Sequence, residues 1–335
     1  MPRCVRLQWP GAFYHVMARG NRRQPIFCDD DDRRFFLGTL SEACKRTGWQ
    51  IHAWVLMGNH YHLLAETPEP NLVDGMKWFQ NTYTRRFNTR HQLWGRIFGD
   101  RYKAVPIEEG SEFYYGSLVD YIHLNPVRAG LVKVTAGKGL LDYEWSSLAS
   151  AYALPPGRRA PWVAAAQGLS SMNFPDTAAG RRRYVEHLET RVRTEPRREC
   201  GVAPPPREDA RASHLRRGWY WGSQMFEEKL LAMLGSHPKA GANRNYRSAP
   251  AHKDHGQRRA QALLEAGLRR HGIENAALES LPGADPRKAE IAMEIWEATT
   301  VSQAWIAGRL KMKSAANVSQ IIRRKKAPPR PLVNI

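Results

Sequence analysis

Two histidines, His60 and His62, flank Tyr61 in the run VLMGNHYHLLAE at residues 55–66. Side chains on a strand alternate between faces, so the two imidazoles emerge on the same side. A pair at i and i+2 on a rigid strand can share one metal ion and leave its other positions open. Further along, DYIHLNPVRAG at residues 120–130 sets Tyr121 and Asn125 four apart, on one face of a helix. A histidine pair plus an amide oxygen suits incomplete binding of a hard ion such as Mg²⁺ or Mn²⁺. The open positions take phosphate oxygens, and the ion stabilises charge developing at phosphorus. A tyrosine oxygen can attack there. Free tyrosine ionises only at about pH 10, so it needs a cation nearby, but the phosphotyrosine ester it forms keeps the bond energy for rejoining, and no nucleotide cofactor is required. An isolated HxH pair is more often two half-exposed histidines on a sheet face. The company of Tyr121 and Asn125 is what gives this one a reaction class.

The elements that must position these residues are legible from periodicity. WQIHAWVLM and the run from His60 are rich in β-branched and aromatic residues, and Gly58-Asn59 between them suits a tight turn, giving a hairpin with strands over about 50–57 and 60–66. AFYHVMARGN reads as a strand, and DDRRFFLGTLSEACKRTG as a helix with acidic residues at its start and Gly48 at its end. A second helix follows Asn71, with Leu72, Met76, Phe79, Tyr83 and Phe87 at helical spacing. GDRYKAVPIE is a strand. SEFYYGSLVDYIHLNPVRAG is a helix opened by Ser111 and stopped around Pro126, which disfavours α geometry at Asn125. The order β-α-β-β-α-β-α predicts an α+β domain of ferredoxin-like type, an antiparallel sheet with helices on one face, over residues 1–152. Among the other candidates Tyr83 falls on an apolar stripe, Tyr61 points away from its neighbours, Tyr114 and Tyr115 lie about two turns before Tyr121, and His52 and His123 read as structural.

Composition indicates the partner. Fifty-one Lys and Arg against 32 Asp and Glu give a net charge of +19, which favours nucleic acid over small neutral ligands. The excess is uneven: residues 1–150 hold 19 basic and 15 acidic residues, leaving 32 and 17 for the remainder. Arg19, Arg22, Arg23, Arg96, Arg101 and Lys103 sit at strand ends beside Phe98 and Tyr102, a placement suited to tracking a DNA backbone with base stacking. Four scattered cysteines without CxxC spacing read as reduced thiols. The N-terminus lacks the apolar core of a signal peptide and no run has transmembrane length, so a cytoplasmic protein without membrane contact is expected.

Beyond residue 152 the sequence changes character. Residues 153–260 are rich in Pro, Gly, Arg and Ala, and read as linker and short helices, partly flexible. Residues 261–327 read as a helical module, in which Ile306, Ala307, Leu310, Val318, Ile321 and Ile322 surround a short turn at Met312-Lys313-Ser314 with helix-turn-helix spacing. Its second helix would present Asn317, Ser319 and Gln320 to bases, with Arg323, Arg324, Lys325 and Lys326 against phosphates, so that duplex DNA becomes a second partner.

The motifs WPGAFYHVMARGNRRQPIF, HAWVLMGNHYHLLAETPEPNL, GRIFGDRYKAV, YIHLNPVRAGLV and YEWSS, in this order over roughly the first 150 residues, resemble the single-tyrosine His-hydrophobic-His (HUH) transposases, and among them the REP-associated tyrosine transposases. The resemblance implies a metal-dependent nuclease and strand transferase acting on single-stranded DNA near hairpins through a covalent 5′-phosphotyrosine. It assigns His60, His62 and Asn125 as ligands of Mg²⁺ or Mn²⁺ and Tyr121 as nucleophile, in a monomer or homodimer. Simple insertion-sequence relatives carry Gln where Asn125 stands; Asn fits the REP-associated branch. The competing reading is a non-catalytic DNA-binding regulator that keeps the transposase fold.

Overall fold

The computed structural model describes residues 6–135, 139–194, 219–236 and 250–326. The chain divides into two compact units, the first built mostly from residues up to 243 and the second mostly from those after it.

The first unit opens with β1 (Ala12–Arg19), α1 (Asp30–Thr47), β2 (Gln50–Met57), β3 (His60–Thr67), α2 (Leu72–His91), β4 (Lys103–Ile107) and α3 (Glu112–Arg128). Each boundary has a local cause. Asp29 caps α1 by accepting the Asp32 N–H, three acidic residues fill its first turn, and Gly48 ends it with φ at 77°. Gly58 and Asn59 turn β2 into β3, and the Ser111 hydroxyl caps α3. The four strands form one antiparallel sheet in the order β2-β3-β1-β4, the arrangement of a ferredoxin-like fold.

Strand alternation divides the interior. Tyr61 faces α1 and α2, its ring 4.9 Å from Phe36 and 6.3 Å from Phe79. The opposite face, bearing Val55, Met57, Leu64, Val105 and Ile107, packs under Leu118, Val119, Tyr121 and Ile122 of α3. Helices therefore cover both faces, and α3 is the one laid over the face of His60 and His62. It also runs to Arg128, straight through Pro126, rather than stopping there. Pro126 has no N–H to give to the Ile122 carbonyl, but only Val127 and Arg128 follow it in the helix, so the loss falls on one bond at the helix end.

The core does not end at residue 152. A short π-helical turn at Leu148–Tyr152 leads to α4 (Ala165–Ser171) and α5 (Ala178–Thr194), and Ala165, Leu169, Tyr184 and Leu188 are buried against α3. The expected linker is structural as far as Thr194. Its apolar residues come in short i, i+4 pairs among arginines, too brief to register as periodicity. Buried polar groups lock the layer together: His123 bridges the Tyr184 hydroxyl and Ser147 Oγ at 2.9 and 2.8 Å, and the Tyr152 hydroxyl donates to the His52 carbonyl at 2.8 Å. Trp221 then pairs along the β4 edge, and α6 (Gln224–Ser236) follows.

The second unit contains α7 (Pro250–Arg270), α8 (Pro286–Ala298), α9 (Gln303–Arg309) and α10 (Ala315–Lys326) around Leu264, Leu268, Ile291, Ile295, Ile306 and Val318. No described helix is long and apolar enough to cross a membrane.

Candidate active site

β3 places His60 and His62 side by side, with ring centroids 5.2 Å apart and planes at 82°. α3 delivers Tyr121 to the same spot. Its ring stands 5.7 Å from that of His62 and 5.9 Å from that of His15, and Tyr121 itself is 9% exposed. Asn125 follows one turn later. Its Nδ2 donates to the Tyr121 carbonyl at 2.9 Å, leaving Oδ1 as the atom able to face a cation. One chain thus gathers His60, His62 and Tyr121, with Asn125 on the adjacent turn.

The histidine tautomers follow from their neighbours. Asn59 Nδ2 donates to the Arg23 carbonyl at 3.0 Å, which orients its Oδ1 toward His60 Nδ1 at 2.7 Å. An amide oxygen only accepts, so His60 carries its proton on Nδ1 and keeps a lone pair on Nε2. Burial, reinforced by Arg19, pushes its pKa down to about 4, so the imidazole is neutral, as a metal ligand must be.

His62 is held by His15, which the sequence reading left within a strand without a role. Met17 is the register partner of His62, so His15, two residues before it, lies on the same face. His15 Nε2 approaches His62 Nδ1 to 2.9 Å, with the rings stacked 5.1 Å apart. His15 is fully buried and neutral, its pKa lowered to about 3 by burial with a contribution from Lys103. Its Nδ1 has no hydrogen-bond partner. When His62 offers Nε2 to a cation, its Nδ1 proton is donated to His15 Nε2, the outer-shell device that fixes a ligand histidine. A neutral His60, a His62 whose Nδ1 is engaged by His15, and an amide oxygen one turn along α3 form a donor set that fits a divalent cation.

The basic residues expected to meet DNA fall into three places. Arg19 pairs in register with His60, and Arg22 and Arg23 follow in a tight turn with φ of 52° and 61°, a left-handed conformation rare outside glycine. Arg96, Arg101 and Lys103 line a cleft of about 830 Å³ with Arg6. Gln320, Arg323 and Arg324 are exposed on α10, whereas Asn317 is half-buried and its Oδ1 accepts from the Ser314 hydroxyl at 3.1 Å. The side chains of Lys325 and Lys326 lie outside those described. Phe98 and Tyr102 do not serve for stacking. Phe98 is buried against Tyr61 and Tyr83, and the face of Tyr102 is covered by the Arg6 guanidinium at 3.8 Å.

A separate cluster, Cys28, Asp32 and His91, has atoms close enough to meet one ion, but none of the expected ligands belongs to it. The Asp32 carboxylate already accepts from the Cys28 backbone N–H, Arg90 and His91. The guanidinium of Arg90 supplies the positive charge that a metal would bring, and the cluster reads as an ion-pair staple between α1 and the end of α2.

Comparison with known proteins falls on the same segment. Residues 10–125 match the family of IS200-like transposases. The match covers about a third of the chain and contains β1, both histidines of β3, Tyr121 and Asn125. It takes in most of the motifs that carry the resemblance read from the sequence, ending within YIHLNPVRAGLV and before YEWSS. A solved structure described as a REP-associated tyrosine transposase bound to a REP hairpin aligns at 20% identity and a TM-score of 0.39, over 49% of this chain and 92% of that one. No match to a curated protein was found.

Proposed function

We propose that this chain is a DNA strand-cleaving and rejoining enzyme of the single-tyrosine HUH transposase kind, acting on single-stranded DNA beside REP-like hairpins. The observation that carries the reading is the contact of Tyr121 with His62, 5.7 Å between rings, on the face where His60 and His62 stand side by side with each Nδ1 in a hydrogen bond. His60 and His62 would hold Mg²⁺ or Mn²⁺, with Asn125 Oδ1 as third protein ligand. Bound there, the ion would draw charge from the scissile phosphate.

Tyr121 Oη attacks the phosphorus, forming a Tyr–O–P bond as the bond to the 3′-oxygen breaks. The phenol loses its proton and the departing 3′-oxygen gains one, so the products are a 5′-phosphotyrosine and a free 3′-hydroxyl. Attack by a second 3′-hydroxyl reverses the step and joins strands. His15 and Asn59 are positioning residues, each fixing the tautomer of one ligand. Arg19, Arg22 and Arg23, at the His60 end of β1, would neutralise phosphates of the bound strand. Residues 261–327 supply a duplex-binding module of helix-turn-helix type, with α10 as its reading helix. The regulator alternative retains no explanation for an intact ligand pair, nucleophile and tautomer-fixing set.

The test uses labelled oligonucleotides carrying the hairpins that flank the chain's own gene, incubated with Mn²⁺. The native chain yields a covalent protein–DNA adduct and a free 3′ fragment; Tyr121→Phe binds the strand and yields neither. Cleavage that persists in Tyr121→Phe contradicts the assignment.

A further inference from the structure

Trp94 is 91% exposed in a molecule whose other large aromatics are mostly covered. It stands in the segment that joins α2 to β4, and this segment is well ordered by its own bonds. The Leu93 N–H donates to the Asn88 carbonyl at 2.8 Å, Asn88 Nδ2 donates to the Gly95 carbonyl at 3.0 Å, and Gly95 takes a φ of 96° that disfavours any side chain. The indole is therefore presented outward by a built turn.

The residues directly after it form the cleft lined by Arg6, Arg96, Arg101 and Lys103, with Gln80 and Thr84 of α2 contributing polar groups. Four cations against the single carboxylate of Asp100 make this wall complementary to a polyanion. The same segment is sewn to the His60 end of the sheet. The Asn21 N–H donates to the Ile97 carbonyl at 2.7 Å and the Gly99 N–H to the Arg19 carbonyl at 3.1 Å, while Arg19 is the register partner of His60. Gly99 favours this approach, since a Cβ there would lie 3.2 Å from Asn21 Cα, tighter than an ordinary contact. A strand in the cleft is thus led toward the ligand pair along continuous backbone.

We infer that this segment is a single-strand guide: Trp94 stacks an unpaired base at its entrance, and the cleft beside it holds the phosphates on their way to His60. The inference rests on the DNA-cleaving function proposed above and adds the place where the unpaired strand is gripped. It also says what binds there, a flexible strand with an exposed base, because a duplex keeps its base faces stacked inside and offers nothing to an indole. Stacking on an aromatic is tolerant of base identity, so the guide contributes affinity without sequence preference.

The test is fluorescence anisotropy of the full chain with a short oligothymidylate lacking any hairpin, in chelator so that no cleavage occurs. Trp94→Ala weakens binding on the order of tenfold or more, and Trp94→Phe restores most of it. An abasic strand of the same length and charge binds native chain and Trp94→Ala alike. Arg101→Ala lowers the slope of log affinity against log salt by about 0.7 without removing the effect of Trp94. Thermal melting stays the same for the Trp94 variants, since the side chain touches almost nothing. Equal oligothymidylate affinity for native chain and Trp94→Ala overturns the guide, as does a Trp94→Ala effect confined to sedimentation, which would make the indole a contact between copies. The two readings fail separately: Trp94-dependent binding with no Tyr121 adduct removes the catalysis and keeps the guide, whereas an adduct with Trp94-independent binding removes the guide alone.

Discussion

Replacing His15 by Phe is the perturbation whose size follows most directly from the geometry. Phe keeps an aromatic ring, slightly larger than imidazole, in the fully buried site, and the change removes the 2.9 Å bond to His62 Nδ1 while leaving His60 and His62 in place. In the metal-free protein His62 can shift its proton to Nε2, which limits the loss. Once Nε2 is taken by a cation, the proton must sit on Nδ1, where the introduced phenyl ring offers no acceptor. A buried donor left unpaired costs about 1–3 kcal/mol, and removal of an outer-shell partner from a ligand histidine lowers metal affinity about 10- to 100-fold. The two magnitudes agree, since a tenfold change is about 1.4 kcal/mol. Calorimetric titration with Mn²⁺ measures it without DNA or turnover. His15→Phe should bind about 10- to 100-fold more weakly than the native chain, His15→Gln should recover part of the loss through an accepting amide oxygen, and His60→Ala marks complete loss. Native Mn²⁺ affinity in His15→Phe would refute the tautomer argument, and native affinity in His60→Ala would remove the metal site altogether.

Chelator should silence cleavage by the native chain while leaving its melting curve unchanged, and His60→Ala and His62→Ala should stay inactive at any Mn²⁺ level, all read on the same adduct gel. Asp120→Asn should destabilise the first unit by about 2 kcal/mol in denaturant unfolding, because Arg191, His187 and the Tyr184 hydroxyl lose a carboxylate partner below α3. Burial alone would raise the Asp120 carboxyl, but His187 and Arg191 outweigh it and hold the pKa below the usual value. The stability it contributes is therefore present above the unfolded-state pKa of about 3.9 and disappears as pH falls through the lower folded value. Asp120→Asn should flatten that acid limb; an unchanged limb counts against the ion pair. A chain ending at Asn243 should fold and cleave with a salt slope shallower by a few units, whereas one ending at Tyr152 should fail to fold, having lost Leu169, Tyr184 and Leu188 from its core. Equal slopes for the full chain and the longer fragment would show that α10 does not meet DNA.

What the sequence revealed and what it hid divide along the range of the interactions involved. His60 and His62 share a face by strand alternation, and Tyr121 and Asn125 share one by helical spacing, so both pairs are visible within a few residues. The caps at Asp29 and Gly48 are equally local. His15 was invisible as a partner because its contact depends on the register of β1 against β3, 47 positions away. Asn59 reads as a turn residue, and only the fold shows its side chain orienting His60. Phe98 and Tyr102 have the right composition for base stacking, but burial is a tertiary property and takes both away, leaving the work to Trp94. The segment from Ala153 to Thr194 reads as linker because Ala165, Leu169, Tyr184 and Leu188 are two isolated pairs on α4 and α5, and only α3 supplies the surface they pack against.

The central claim is that Tyr121 becomes covalently joined to DNA. Trapping the native chain on a hairpin-flanked single strand with Mn²⁺, digesting both components, and sequencing the nucleotide-bearing peptide by mass spectrometry tests it directly. The account predicts one modified peptide, carrying a 5′-phosphate ester on Tyr121; a modified Tyr114, Tyr115 or any other residue, or cleaved DNA with no linked peptide, would contradict it.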